Sequence, residues 1–155
     1  MTFFIREAAA RDAAGIHRMH LASIRQICSK DYTSTQINAW TSTPHPEGYV
    51  ESMECGERMF VAVDNGKVIG YSSVCEDEIC AVFVHPYHVG RGVGKSLLER
   101  VEQEAVDEGF SVVRLNSTLT ARKFYQKYGW VVVKEVKHQL RNGCRIPCIG
   151  MEKTL

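Results

Sequence analysis

The stretch EICAVFVHPYHVGRGVGKSLLERVEQEAVDEG, residues 78–109, constrains the fold more than any other part of the chain. It opens with Glu78–Val84, a short apolar run stopped by Pro86, the pattern of a buried strand. Glycines follow at 90, 92 and 94. Val93, Leu97, Leu98, Val101, Ala105 and Val106 then recur at helical spacing until Gly109 closes the run. A strand, a glycine loop and a helix in this order place unpaired N–H groups and the positive end of a helix dipole behind a backbone that a ligand can approach closely. That combination holds anions. Two nucleotide patterns fail on spacing. The Walker loop G-x-x-x-x-G-K-[ST] finds Gly94, Lys95 and Ser96 but meets Val89 where its first glycine belongs. The dinucleotide pattern G-x-G-x-x-G fails because Gly90 and Gly92 lead to Lys95, and Gly92 and Gly94 to Leu97. A diphosphate held by main-chain N–H groups remains the expectation.

The anion site must be local. With 19 basic against 18 acidic residues the formal charge is +1, which gives no global attraction for nucleic acid or an anionic membrane, and neither partner is expected. A length of 155 residues with 45% hydrophobic residues suits a single domain over residues 1–155. No apolar run approaches the ~18 to 20 residues of a membrane span. The opening MTFFIREAAARD lacks the long apolar core of a secretion signal, so a cytoplasmic location is expected. The six cysteines are then expected as free thiols. Cys144 and Cys148, spaced C-x-x-x-C with no second close pair, make a poor zinc site, and no metal is expected. Cys80, within the apolar run, reads as a small core residue.

TFFIRE has a short strand pattern, and Asp12 is placed to cap a helix carrying Ile16, His20, Ile24 and Ile27 on one side. His17 and His20 read as surface or packing residues. Between residues 31 and 56, YTSTQINAW suits a short helix, and TSTPHPEG is a turn-rich connector before another helical piece. RMFVAVDNGKVIGYSSV predicts two strands joined at Asn65-Gly66, a turn that needs positive φ at both residues. After the long helix, SVVRLN reads as a strand and TARKFYQKYG as a short helix closed by Gly129. WVVVKEVKHQ reads as a strand followed by a turn at Asn142-Gly143, and RIPCIGMEK as the last strand. The order is β-α-α-β-β-β-α-β-α-β-β, a mixed sheet with helices on its faces.

Two pieces together resemble the GCN5-related N-acetyltransferase superfamily. One is the loop [Q/R]-x-x-G-x-[G/A], here Val89-Gly90-Arg91-Gly92-Val93-Gly94 with valine at its first position. The other is A-x-x-F-Y-x-x-x-G-[F/W], matched by Ala121, Phe124, Tyr125, Gly129 and Trp130. The resemblance implies an α/β (α+β) fold with a mixed, mostly antiparallel sheet of about seven strands and helices on both faces. It implies acetyl-coenzyme A as cosubstrate and direct transfer of an acetyl group to a primary amine of a small molecule or peptide in a ternary complex. Under it, pantetheine runs along Val82, Phe83 and Val84. The diphosphate sits on Gly90, Arg91, Gly92, Val93, Gly94 and Lys95, with charge from Arg91 and Lys95. Thr118 stands where the superfamily often has an asparagine that contacts the pantetheine arm.

Tyr125 is the superfamily's usual acid for the departing thiolate, and the Val82 N–H the oxyanion donor. Glu78, four residues before Val82, matches the position of the glutamate base in the histone-modifying branch. A strand-start acid near apolar neighbours suits that task. Ordered water is the alternative base, and His85 a further one. The first two helices and their loop imply acceptor contacts from Tyr32, Gln36, Trp40 and His45. A coenzyme-binding sensor without catalysis also fits these motifs, and a homodimer is left open.

Overall fold

The computed structural model describes residues 2–155. Its strands are β1 (Phe3–Glu7), β2 (Arg58–Asp64), β3 (Lys67–Cys75), β4 (Glu78–Val84), β5 (Val112–Thr118), β6 (Val131–Gln139) and β7 (Arg145–Thr154). The helices are α1 (Ala13–Gln26), α2 (Ser34–Thr41), α3 (Pro46–Glu54), α4 (Val93–Asp107) and α5 (Arg122–Lys127). Three helices separate β1 from β2, where the pattern's order had two, because the turn at residues 42–45 starts a new helix. His45 caps it by accepting the Gly48 N–H at 3.1 Å, and Pro46 sits in its first turn.

All strands join one seven-stranded sheet in the order β1-β2-β3-β4-β5-β7-β6. Every neighbouring pair is antiparallel except β4 and β5. Asn65 and Gly66 adopt φ of 54° and 77°, the turn expected between β2 and β3. On one face, Ile16, Met19 and Tyr49 of α1 and α3 pack on Met59, Val61 and Tyr71. On the other, Leu97, Leu98 and Val101 of α4 and Tyr125 of α5 cover the sheet. Burying each such side chain contributes about 1.5–3 kcal/mol. Gly70 lets α4 lie close, since a Cβ there would come within 2.8 Å of Leu97 Cδ1. Trp130 is buried with its indole N–H donating to Glu102 at 3.0 Å, and Lys153 holds the other oxygen of that carboxylate at 2.9 Å.

Two expectations are corrected. Asp12 does not cap α1 through its side chain. The Arg6 guanidinium takes both carboxylate oxygens at 2.8 Å, and the Ala9 N–H adds a third bond. The carboxylate therefore ties the start of α1 to β1. Cys80 is exposed, not a core residue. The reason is a bulge: Ser73 lies opposite Ala81 and Val74 opposite Ile79, so Cys80 has no cross-strand partner and β4 bends there.

Candidate active site

That bend shapes the centre of the sheet. β4 and β5 pair only at Glu78 and Arg114, and beyond this point the parallel strands diverge. His85 N–H donates to Ile69 O at 2.8 Å, which fixes the phase of the β3–β4 ladder. Alternation then turns the N–H and C=O groups of Val82 and Val84 away from β3 and into the split. An extended ligand could take up those groups as a missing strand would.

A cavity of about 300 Å³ occupies the split, walled by Glu78 and residues 79–83 on one side and by Asn116, Thr118, Ala121 and Tyr125 on the other. Toward α4 it continues as a cleft of about 200 Å³ bordered by Cys28, Val84, Val89, Gly94, Thr118 and Phe124. Toward α3 it opens into a chamber of about 460 Å³ bordered by Trp40, His45, Glu57, His138 and Arg141. His20, Trp40, Tyr71, Cys80, Ala81 and His138 line both the first cavity and the chamber, so the two are contiguous.

The glycine loop ends the cleft with an arrangement of main-chain groups suited to an anion. Gly90 and Gly92 have φ of 80° and 83°, which only glycine adopts without strain, and a Cβ on either would meet open space. The N–H groups of Val93, Gly94 and Lys95 precede the first intrahelical bond, Ser96 N–H to Gly92 O at 3.1 Å, and so remain free for a ligand. Gly94 serves packing instead: a Cβ there would lie 3.1 Å from Phe124 Cε1. Charge from the side chains is weaker than expected. Arg91 is committed to Asp64 at 3.1 Å and to Thr2 Oγ1 at 3.1 Å, which braces the loop against β1 and β2. Lys95 lies 3.8 Å from Glu99.

Tyr125 is buried against Trp130 and Phe124 and faces the first cavity. Burial pushes its hydroxyl well above the ordinary range, so it keeps its proton and can donate it. Thr118 lines both cavity and cleft, with Oγ1 accepting the Ala121 N–H at 3.1 Å. Glu78 borders the cavity at the closed end of the split. Arg114 lies 3.6 Å from it and the carboxylate is partly exposed, unlike the apolar surroundings expected. His85 accepts the Tyr87 N–H at 3.1 Å at the opposite end of β4, away from this wall.

Of the expected acceptor contacts, Trp40 lines the first cavity and the chamber, and His45 the chamber alone. Tyr32 stands behind Trp40, ring centroids 5.4 Å apart. Its hydroxyl donates to Pro147 O at 2.6 Å and accepts the Leu119 N–H at 3.0 Å, so it braces the wall from behind. Gln36 is spent on capping: its N–H and Oε1 both bond Thr33, at 3.1 and 2.8 Å.

Sequence reasoning missed three lining residues. Cys80 reaches the cavity through the bulge; although its surface is open to the cavity, partial desolvation there, followed by the charges of Glu57 and Glu78, pushes its thiol up to about 12. His20 is enclosed by Tyr49, Tyr71 and Phe83, with Nδ1 2.8 Å from the Tyr49 hydroxyl and 3.4 Å from that of Tyr71. Burial drives its imidazole down to about 3 and keeps it neutral. His138 is exposed on β6 and carries no local motif; only the hydrophobic positions two residues either side mark which face it shares.

Residues 28–155 match the acetyltransferase (GNAT) domain family. The uncharacterized N-acetyltransferase YafP of Escherichia coli is 25% identical over 137 residues, covering 88% of this chain and 87% of its own. A crystal structure of a GCN5-related N-acetyltransferase from Rhodopseudomonas palustris superimposes with a TM-score of 0.92 at 29% identity, over 100% of this chain and 97% of that one. The PaiA N-acetyltransferase of Thermoplasma acidophilum, solved in complex with coenzyme A, shares the fold with a TM-score of 0.80 at 19% identity over the whole of both chains.

Proposed function

The chain belongs to the GNAT acetyltransferase family, and from that premise we propose that it uses acetyl-coenzyme A to acetylate a primary amine of a small molecule or peptide, by direct transfer in a ternary complex. The observation that carries this reading is the split between β4 and β5, with ladder groups of Val82 and Val84 turned into it and a free helix N-terminus at its end.

Bound there, the coenzyme supplies an activated acetyl group as a thioester. The N–H groups of Val93, Gly94 and Lys95 hold its diphosphate, backed by the dipole of α4. Residues 82–84 pair with the pantetheine arm as an added strand, and Thr118 borders its path. The Val82 N–H faces the reacting carbonyl and stabilises negative charge on oxygen as the amine adds. Tyr125 then gives its proton to the departing sulfur, which its burial favours because the phenol is held neutral. The amine arrives through the chamber beside Trp40 and His45.

Calorimetric titration with acetyl-coenzyme A, coenzyme A and ATP tests the binding half of this reading. Both coenzymes should bind and ATP should not. Tight ATP binding with neither coenzyme bound would overturn it. Transfer to any amine separates an enzyme from a sensor that binds the coenzyme without turnover.

A further inference from the structure

We propose that His138 is the general base that takes the proton from the acceptor amine, an inference that rests on the acetyltransferase reading above. Three side chains with a basic atom border the first cavity: Glu78, His20 and His138. Glu78 sits where β4 and β5 still pair, shared with Arg114 at 3.6 Å, and it lines only the first cavity. An acceptor amine entering from the chamber meets it last. His20 borders both spaces, but it is buried and neutral, and its Nδ1 is taken by the Tyr49 hydroxyl at 2.8 Å. It shapes the wall and does not accept a proton near neutral pH.

His138 combines what the other two lack. It lies on β6 opposite Ile146, between Val136 and Leu140, which both pack in the cluster around Trp40. Strand alternation places His138 on that same side, and it lines both the first cavity and the chamber, where an incoming amine must pass. Its ring is exposed, so water at the chamber mouth can carry a proton away. Glu57 and His45 can also accept a proton, but they border the chamber alone and not the first cavity where the thioester would lie. Burial holds Tyr71 on β3 and Cys148 on β7 in their protonated forms, and partial desolvation beside Glu57 and Glu78 does the same for Cys80 on β4. Glu57 and Arg141 border the chamber with opposite charges.

The proton balance closes. An alkylammonium gives one N–H proton to the His138 imidazole, which releases it to water. The freed lone pair forms the C–N bond at the thioester carbonyl carbon. As the C–S bond breaks, its electron pair stays on sulfur, which takes the Tyr125 proton. A second proton leaves the nitrogen and restores the phenol, so each transfer frees one proton to solvent.

The test compares the wild type with His138→Gln on an alkylamine accepted from a panel of 1,4-diaminobutane, phenethylamine and a lysyl tripeptide. In the variant, kcat/KM should fall by ~10² or more, as for loss of a general base. The acidic limb of the pH profile should disappear, added imidazole should restore part of the rate, and calorimetric affinity for coenzyme A should stay unchanged. Independently of turnover, the His138 ring resonances of the wild type with coenzyme A should move when that amine is added. The inference is overturned by a rate within a few-fold of wild type, by an unchanged acidic limb, by ring resonances that ignore the amine, or by loss of coenzyme A affinity with the rate. A wild type that binds coenzyme A and acetylates none of the panel overturns the acetyltransferase reading itself, and this inference with it.

Discussion

The two sides of the split, assigned above by proposal to the coenzyme and to the acceptor, are built by different means. On the coenzyme side the groups that matter belong to the backbone: free N–H groups at the start of α4, ladder groups on β4, and glycines in the loop that leave room. On the acceptor side they are side chains delivered by separate elements: His20 from α1, Trp40 from α2 and His138 from β6. A backbone site depends on local conformation and tolerates most exchanges of side chain. A side-chain site depends on distant packing and changes with single substitutions, so one binding half can stay constant while the other takes up new amines.

The largest effect should come from placing a side chain in the backbone cradle. Gly92→Glu puts a carboxylate into open space at the loop, and coenzyme binding should be abolished. Because φ is 83° there, any side chain also adds strain of roughly 1–2 kcal/mol. Gly92→Asn is the control, since asparagine tolerates this conformation and adds no charge. Calorimetry should find binding in the asparagine variant and none in the glutamate variant; equal affinity in glutamate and wild type would mean that the cradle lies elsewhere.

Tyr125 stands where the two sides meet, and its removal should divide binding from chemistry. Tyr125→Phe should lower turnover by ~10² while leaving coenzyme affinity within a few-fold. Loss of both together would return Tyr125 to the hydrophobic core. If amine deprotonation limits the rate, the loss shrinks near neutral pH and should grow at alkaline pH, where the amine is already neutral while burial still holds the phenol protonated.

The smallest effect concerns stability and belongs to the acceptor side. His20 titrates near 6.5 when unfolded but is held down at about 3 by burial in the fold. Below pH ~6.5 the unfolded chain therefore binds more protons, and stability falls with pH by up to about 1.4 kcal/mol per unit until the folded value is reached. Urea unfolding midpoints of the wild type should drop between pH 7 and pH 5, and those of His20→Gln should drop less. Parallel curves would mean that His20 is charged in the fold.

The same division decides what could be read from the sequence. The strand, glycine loop and helix, and the Ala121-to-Trp130 pattern, were legible because glycine positions and hydrophobic spacing fix backbone conformation locally. Arg91 shows the limit even there: its charge looked available to a ligand, but Asp64, 27 residues earlier, takes it. Asp12 looked like a helix cap, and Arg6 on the preceding strand captures it. Cys80 reaches the cavity only because β3 and β4 pair out of step at one residue, and nothing in EICAVFV announces the slip. His138 faces a space walled by β3, β4 and α2, segments 50 or more residues away, so its place exists only once the sheet has closed.

The diverging strands carry a consequence beyond catalysis. Most sheets confine their unpaired edges to the two outermost strands, but here the break between β4 and β5 creates two further edges in the interior of the sheet. An open edge with free N–H and C=O groups is a template for another chain's strand and so a route to aggregation. On the proposed binding mode, a bound coenzyme would close that route by occupying the groups, and by mass action it would also favour the folded chain. The expected consequence is that aggregation of the purified protein, followed by light scattering on storage, slows as coenzyme A is added.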